Sequence, residues 1–295
     1  MTGAEPGRRV VMVDGVPMSA LVAAVPDPRA VIVAIHGGAT SAAYFDCPGH
    51  PRLSLLRLAA THGVTAIALD RPGYGASALY ADEMHDPDRR VALAYGAVDS
   101  ILADGPRGAG VFLLAHSAGC ELALRMAVTP ARSDVIGVEL AGTGMNYSAT
   151  TKDILRQTTA THRPAGLRDL LWQPVELYPA EVLTGALSAP GVAYEAEATA
   201  NWPRRDFAAI AANVRVPVEF SAADHESVWE TTPAALAQIA ASFTASPRVV
   251  VNHVADSGHN VSVSLTADAY HRKVLSFIEE CIDAHQGTDS EVEAS

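Results

Sequence analysis

The sequence predicts an α/β fold: a mostly parallel central sheet covered by helices on both faces, with one insertion late in the chain. Three observations lead there. Unbroken apolar runs of strand length recur, as in AVIVAIHGG (30–38) and GVFLLAHS (110–117), and a strand that is apolar on both faces belongs inside a parallel sheet. Segments with helical spacing separate these runs, and that alternation builds covered parallel sheets. Between residues 143 and 205 the rhythm stops and a different texture takes over.

Taken in order, RRVVMV and MSALVAAV flank Asp14-Gly15, a hairpin signal. AVIVAIHGG (30–38) is a strand running into glycines, and LSLLRLAATHG (53–63) a helix ending at Gly63. VTAIALDRPGYG (64–75) is the next strand, and DRRVALAYGAVDSILADG (88–105) a helix closed by Gly105. GVFLLAHS is followed by the helix AGCELALRMAV and the strand DVIGVELAG (134–142). After the interruption come the strand VPVEFSAAD (216–224), the helix TTPAALAQIAASF, the strand RVVVNHVADSG (248–258) and the helix AYHRKVLSFIEECIDAHQ. Residues 1–142 and 206–286 therefore form one core, and no internal repeat is visible. The interruption, 143–205, carries Tyr147, Trp172, Tyr178, Tyr194 and Trp202 with several prolines. A linker would not hold so many aromatics, whereas a cap over a small-molecule pocket would. The polar tail 287–295 (GTDSEVEAS) is expected to be disordered.

Composition removes several classes of function. A hydrophobic content of 49% with 18% charged residues describes a globular chain. The net charge of −12 opposes nucleic acid and anionic membrane surfaces. Nothing in MTGAEPGRRV resembles a signal peptide, no apolar run approaches membrane length, and Cys47, Cys120 and Cys281 show neither disulfide nor metal spacing. The expected setting is the cytoplasm, with a small-molecule substrate and no metal or other cofactor. Oligomeric state has no sequence signal.

The chemistry concentrates in LLAHSAGCEL (113–122). Ser117 stands where a parallel strand turns abruptly into a helix, at the strand end where sheets of this kind present ligands. Ala115 and Gly119, two residues to either side, are small enough for the close backbone contact such a turn forces. The serine is then held out in a strained conformation, with the positive end of the helix aimed at the same space. A serine used only as a helix cap would not require those small neighbours. The Ala118 amide is the nearest donor for an oxyanion.

On these residues the chain resembles the α/β-hydrolase fold family over nearly its whole length. AHSAG stands for the family's Gly-x-Ser-x-Gly elbow, with Ala115 replacing the first glycine. HGGATSAAYF (36–45) resembles its oxyanion loop, and DRPGYGAS (70–77) its Asp-x-x-Gly-x-Gly-x-Ser turn. The resemblance implies Ser117 as nucleophile and His259, in ADSGHNVS after the last strand, as base. His36 and His116 have better structural explanations, while His225 and His253, adjacent to strand ends, remain rivals. It implies Asp224 as the acid, with Glu226 and Glu139 as alternatives. It also implies Gly38 as an oxyanion donor beside Ala118, with Ala39 next in line as a donor, and the small residues Gly37, Gly38 and Ala39 give the backbone room to approach substrate.

The expected activity is that of a serine hydrolase acting on a carboxylic ester, thioester, lactone or amide of a small, moderately apolar molecule through an acyl-enzyme on Ser117. A non-hydrolytic enzyme on the same scaffold (cyclase, C–C bond hydrolase or lyase, cofactor-free haloperoxidase) is the alternative, and a ligand-binding pseudoenzyme a third.

Overall fold

The computed structural model of the chain describes residues 5–130, 132–157 and 166–293. Residues 158–165 of the expected cap and 294–295 of the expected tail lie outside the described residues.

A hairpin opens the fold. β1 (Gly7–Val13) and β2 (Val16–Ala23) pair antiparallel with Val13 opposite Val16. Asp14 and Gly15 between them sit at φ 47° and 79°, the two left-handed residues of a turn whose twist matches the strands. There follow β3 (Val31–Ile35), α1 (Leu55–Thr61), β4 (Thr65–Leu69), α2 (Pro87–Leu102), β5 (Val111–His116), α3 (Gly119–Ala127) and β6 (Val135–Ala141). Next come α4 (Ala149–Gln157), α5 (Gly166–Trp172), α6 (Ala180–Leu183), α7 (Tyr194–Asn201) and α8 (Phe207–Ala211). The chain closes with β7 (Val218–His225), α9 (Pro233–Ser242), β8 (Val249–Gly258) and α10 (Ala267–Glu293). Capping explains three of the helix starts: Ser54, Asp86 and Thr232 each accept a first-turn amide, and Pro87 and Pro233 follow the last two.

The sheet order is β1-β2-β4-β3-β5-β6-β7-β8, antiparallel at β1–β2 and β2–β4 and parallel from β4 through β8. Strand alternation splits the interior into two cores. Val31, Val33 and Ile35 of β3 face α2, α3 and α9, while Ile32 and Ala34 face α1 and α10; β5 divides in the same way. The apolar runs of the central strands therefore reflect burial on both faces. Because these strands are parallel, the loops after β3, β5, β7 and β8 open at one edge of the sheet, where the polar side chains collect.

Two departures from expectation concern ends. α10 runs on to Glu293, so residues 287–293 of the segment expected to be disordered continue a helix. Propagation extends an already formed helix one hydrogen bond at a time, without a new nucleus. The α7–α8 passage is joined through a π-helical turn, Trp202–Asp206, and so crosses the expected cap boundary at 205. Trp202 is buried against Phe207 as part of the main core.

Inside the sheet, Glu139 of β6 and Glu219 of β7 lie in register, both buried, with the Tyr270 hydroxyl donating to Glu139 at 3.0 Å. Burial and the Glu219 charge push the Glu139 carboxyl well above its usual range, and burial raises Glu219 to about 7. A carboxyl whose pKa is raised on folding binds more protons in the folded state than in the unfolded one. Its contribution is fully present below the unfolded pKa and is lost as pH rises through the folded value. Glu219→Gln, which stays neutral, is therefore expected to gain stability relative to wild type between pH 5 and pH 8, read as a widening difference in Tm. A difference independent of pH would contradict the raised Glu219 pKa.

Candidate active site

Ser117 follows β5 at φ 51°, a left-handed conformation that costs a non-glycine residue about 1–3 kcal/mol. The strain is held by the backbone around it: Ser117 N–H donates to Ala141 O at 2.8 Å, and its carbonyl accepts from Cys120 N–H at 3.0 Å. Gly119 shows why the elbow needs a small residue. A Cβ there would lie 2.5 Å from the Ile35 carbonyl oxygen and 2.6 Å from that of His36. Ala115, within β5 and fully buried, fits where the family pattern has glycine.

His259, in the loop after β8, brings Nε2 to 3.1 Å from Ser117 Oγ. Its Nδ1 lies 2.9 and 3.1 Å from the two carboxylate oxygens of Glu226. The imidazole and carboxylate are almost wholly buried, at 1% and 3% side-chain exposure, while Ser117 is half-buried. Burial acts to raise the Glu226 pKa, but His259 and the Val228 and Trp229 amides outweigh it and hold the carboxyl below its usual range. The residue at the histidine is thus Glu226, and the expectation for Asp224 is corrected. Glu226 N–H bonds Ala223 O at 3.2 Å, closing a turn whose two corner residues, Asp224 and His225, point to solvent. Glu226 is the first side chain after that turn to face back toward the sheet. Glu139 is buried in mid-strand beside Glu219, away from His259.

Two of the other candidate histidines, His36 and His116, have structural work. His36 Nδ1 lies 2.8 Å from Gly37 O, and its Nε2 accepts the Arg71 amide at 3.0 Å. His116 Nε2 lies 2.9 Å from the His259 carbonyl and the ring stacks on Tyr44. Burial lowers the pKa of both rings, so each stays neutral. His225 and His253 are exposed.

The oxyanion loop is clamped through one carbonyl. Gly37 O faces His36 Nδ1 and accepts from Thr40 Oγ1 at 3.1 Å and Arg71 Nη2 at 3.0 Å. A trans peptide points its C=O and N–H in opposite directions, so fixing Gly37 O also fixes the Gly38 N–H. Among the described residues neither the Gly38 nor the Ala118 amide has a hydrogen-bond partner. Ala39 differs from expectation as a donor: its N–H already bonds Tyr74 Oη at 3.0 Å. A Cβ on Gly37 would lie 3.1 Å from that of Ser117, so glycine there allows the loop to approach the serine.

Several participants were assigned no role of their own from the sequence. Gly142, after β6 at φ 64°, leaves room for His259, since a Cβ there would come 3.2 Å from the ring's Cε1. Trp229 Nε1 donates to Gly142 O at 3.0 Å. Asp70 of the DRPGYGAS turn accepts Ser19 Oγ at 2.6 Å and the Ala42 amide at 2.8 Å, tying the turn to the segment after the oxyanion loop. Arg71, Tyr74 and Glu195 meet beside Gly38.

A family model described as the alpha/beta hydrolase family matches residues 32–272. The chain belongs to this family. Many solved structures share the fold of this alpha/beta hydrolase. A thermostable carboxyl esterase from Bacillus coagulans superposes with a TM-score of 0.68 at 15% identity, covering 94% of this chain and 99% of that one. The enol-lactonase from Burkholderia xenovorans LB400 gives 0.61 at 14%, covering 92% and 100%. A thioesterase domain from the curacin biosynthetic pathway gives 0.62 at 17%, covering 92% and 99%. At these identities the likeness is one of fold. A search of curated proteins gives no match. Among the described residues of this hydrolase, no group of His, Cys, Asp and Glu could hold a metal ion, and no helix is long and apolar enough to cross a membrane.

Proposed function

We propose that the protein is a serine hydrolase that cleaves a carboxylic ester, thioester or lactone of a small, moderately apolar molecule through an acyl-enzyme on Ser117. The observation that carries this is the continuous chain Ser117 Oγ, His259 Nε2, His259 Nδ1, Glu226, at 3.1 and 2.9 Å, beside two amides that have no partner among the described residues. Neighbours named as an esterase, an enol-lactonase and a thioesterase domain support the acyl-transfer class.

Ser117 Oγ attacks the carbonyl carbon as His259 Nε2 takes its proton. Glu226 holds the ring in the tautomer with Nδ1 protonated and stabilises the imidazolium that forms. The new oxyanion is received by the Gly38 and Ala118 amides, each such donor being worth about 3–4 kcal/mol. Collapse expels the alkoxide or thiolate, which takes the proton from His259. Water then enters, His259 removes its proton, and a second tetrahedral intermediate releases the acid and restores Ser117. The helical segment between β6 and β7 serves as the cap, with Tyr194 Oη donating to Pro72 O at 3.1 Å. Three buried free cysteines fit a reducing cytoplasm.

The test is a panel of p-nitrophenyl esters of increasing chain length, with a lactone and a thioester, read by product analysis. Turnover to free acid and alcohol, passing through an optimum in chain length, is the expected outcome. A folded protein that cleaves none of them, or converts them without net addition of water, would overturn the proposal.

A further inference from the structure

Beside the oxyanion loop lies a group of side chains that the hydrolytic steps leave unused. Arg71 comes from the turn after β4 and is buried, with 3% side-chain exposure. Its Nη2 donates to Gly37 O at 3.0 Å, and its guanidinium packs 4.8 Å from the Tyr74 ring centroid. Tyr74 Oη accepts the Ala39 amide, which leaves its proton for Glu195 Oε1 at 2.8 Å. Arg71 Nη2 pairs with the same oxygen. Both donors belong to the core; the carboxylate they share belongs to α7 of the cap. A Cβ on Gly38 would lie 3.2 and 3.5 Å from the two Glu195 oxygens, so this carboxylate rests against the residue whose amide faces the oxyanion site.

We propose that Arg71 and Tyr74 form a carboxylate-binding subsite, occupied in this structure by Glu195, and that the substrate is an ester whose acyl chain ends in a carboxylate. The proposal rests on the ester-hydrolase reading and deepens it. Three features favour exchange over a permanent ion pair. Among the described residues Glu195 engages the guanidinium through Nη2 and not Nε, which is buried and has no partner there; a freely placed carboxylate could take Nε and Nη2 together, the bidentate geometry that arginine suits. Glu195 also fills space against Gly38 that an acyl chain on that side would need. Once it is displaced, Arg71 remains anchored to Gly37 O and to the Tyr74 ring. A buried cation stripped of its counter-charge is strongly unfavourable, so an incoming anion is preferred over a neutral chain.

Monoethyl succinate and monoethyl glutarate, compared with ethyl pentanoate and ethyl hexanoate as neutral analogues of similar length, test this by kcat/KM at neutral pH. Wild type is expected to favour the half-esters by roughly tenfold to a hundredfold, the scale of a hydrogen-bonded charge. Tyr74→Phe and Arg71→Gln should bring that ratio toward one, chiefly through KM. Glu195→Gln should raise it, because the internal competitor loses its charge; a Glu195 that only latched the cap would alter both substrate classes alike. Because Arg71 also clamps the oxyanion loop, binding of monoethyl glutarate to Ser117→Ala, measured by calorimetry with and without Tyr74→Phe, gives a readout independent of turnover. Cleavage of both classes without preference would overturn the subsite and leave the hydrolase standing. Binding that depends on Tyr74, in a wild-type protein that cleaves neither class, would support the subsite and overturn the hydrolase. Absence of both binding and preference would overturn the subsite.

Discussion

Ser117→Ala is expected to lower ester turnover by roughly five to six orders of magnitude, the scale on which loss of the nucleophile disables a triad. The folded state should scarcely notice. Ser117 Oγ makes its hydrogen bond to His259, while the backbone bonds that hold the elbow, Ser117 N to Ala141 O and Cys120 N to Ser117 O, do not involve the side chain. An unchanged Tm with abolished turnover separates the chemical role from a structural one. Residual activity within tenfold of wild type would mean that another group attacks the carbonyl.

Glu226→Gln is expected to lower turnover by roughly a thousandfold to ten-thousandfold, the loss seen when a triad acid becomes its amide. The amide preserves shape but removes the charge that stabilises the imidazolium. It can also turn its NH2 toward Nδ1, which disfavours the tautomer able to accept the serine proton. Asp224→Asn should change turnover by less than about twofold, since an exposed side chain one turn corner away contributes only screened electrostatics. The two variants measured side by side on one ester decide the acid. A crippled Asp224→Asn and a nearly silent Glu226→Gln would show that the β7–β8 region rearranges in the working enzyme.

Much of the fold was legible because burial on both faces leaves an unmistakable trace. VIVAI, AIAL and VFLLA are apolar without interruption, and each lies in a central strand. The elbow was legible for a related reason. Gly119 is a glycine because the Ile35 and His36 carbonyls at the end of β3 pass close by, and the resulting pattern of small residues around Ser117 is local in sequence even though the contact is not. The acid was not legible between Asp224 and Glu226. Which one faces the histidine depends on a turn from Ala223 to Glu226 and on a register shift in the β7–β8 pairing, neither of which the run SAADHES announces. Ala39 was over-read: its amide is consumed by Tyr74, 35 residues away. Arg71 and Glu195, 124 residues apart, likewise meet only through the packing of the cap on the core. The aromatic residues of the insertion suggested pocket lining, yet Trp202 went to the main core, where its ring packs edge-on to Phe207.

The central claim is that Ser117 is a nucleophile activated through His259 and Glu226, and a fluorophosphonate probe followed by peptide mapping tests it most directly. Such a reagent phosphonylates an activated serine and expels fluoride, leaving a covalent mass that proteolysis can assign to one residue. The predicted result is a single adduct on Ser117 of the wild-type protein, absent from Ser117→Ala, strongly slowed in Glu226→Gln and unaffected in Asp224→Asn. A correctly folded wild-type protein that remains unlabelled, or that carries the adduct on any other residue, would contradict the account.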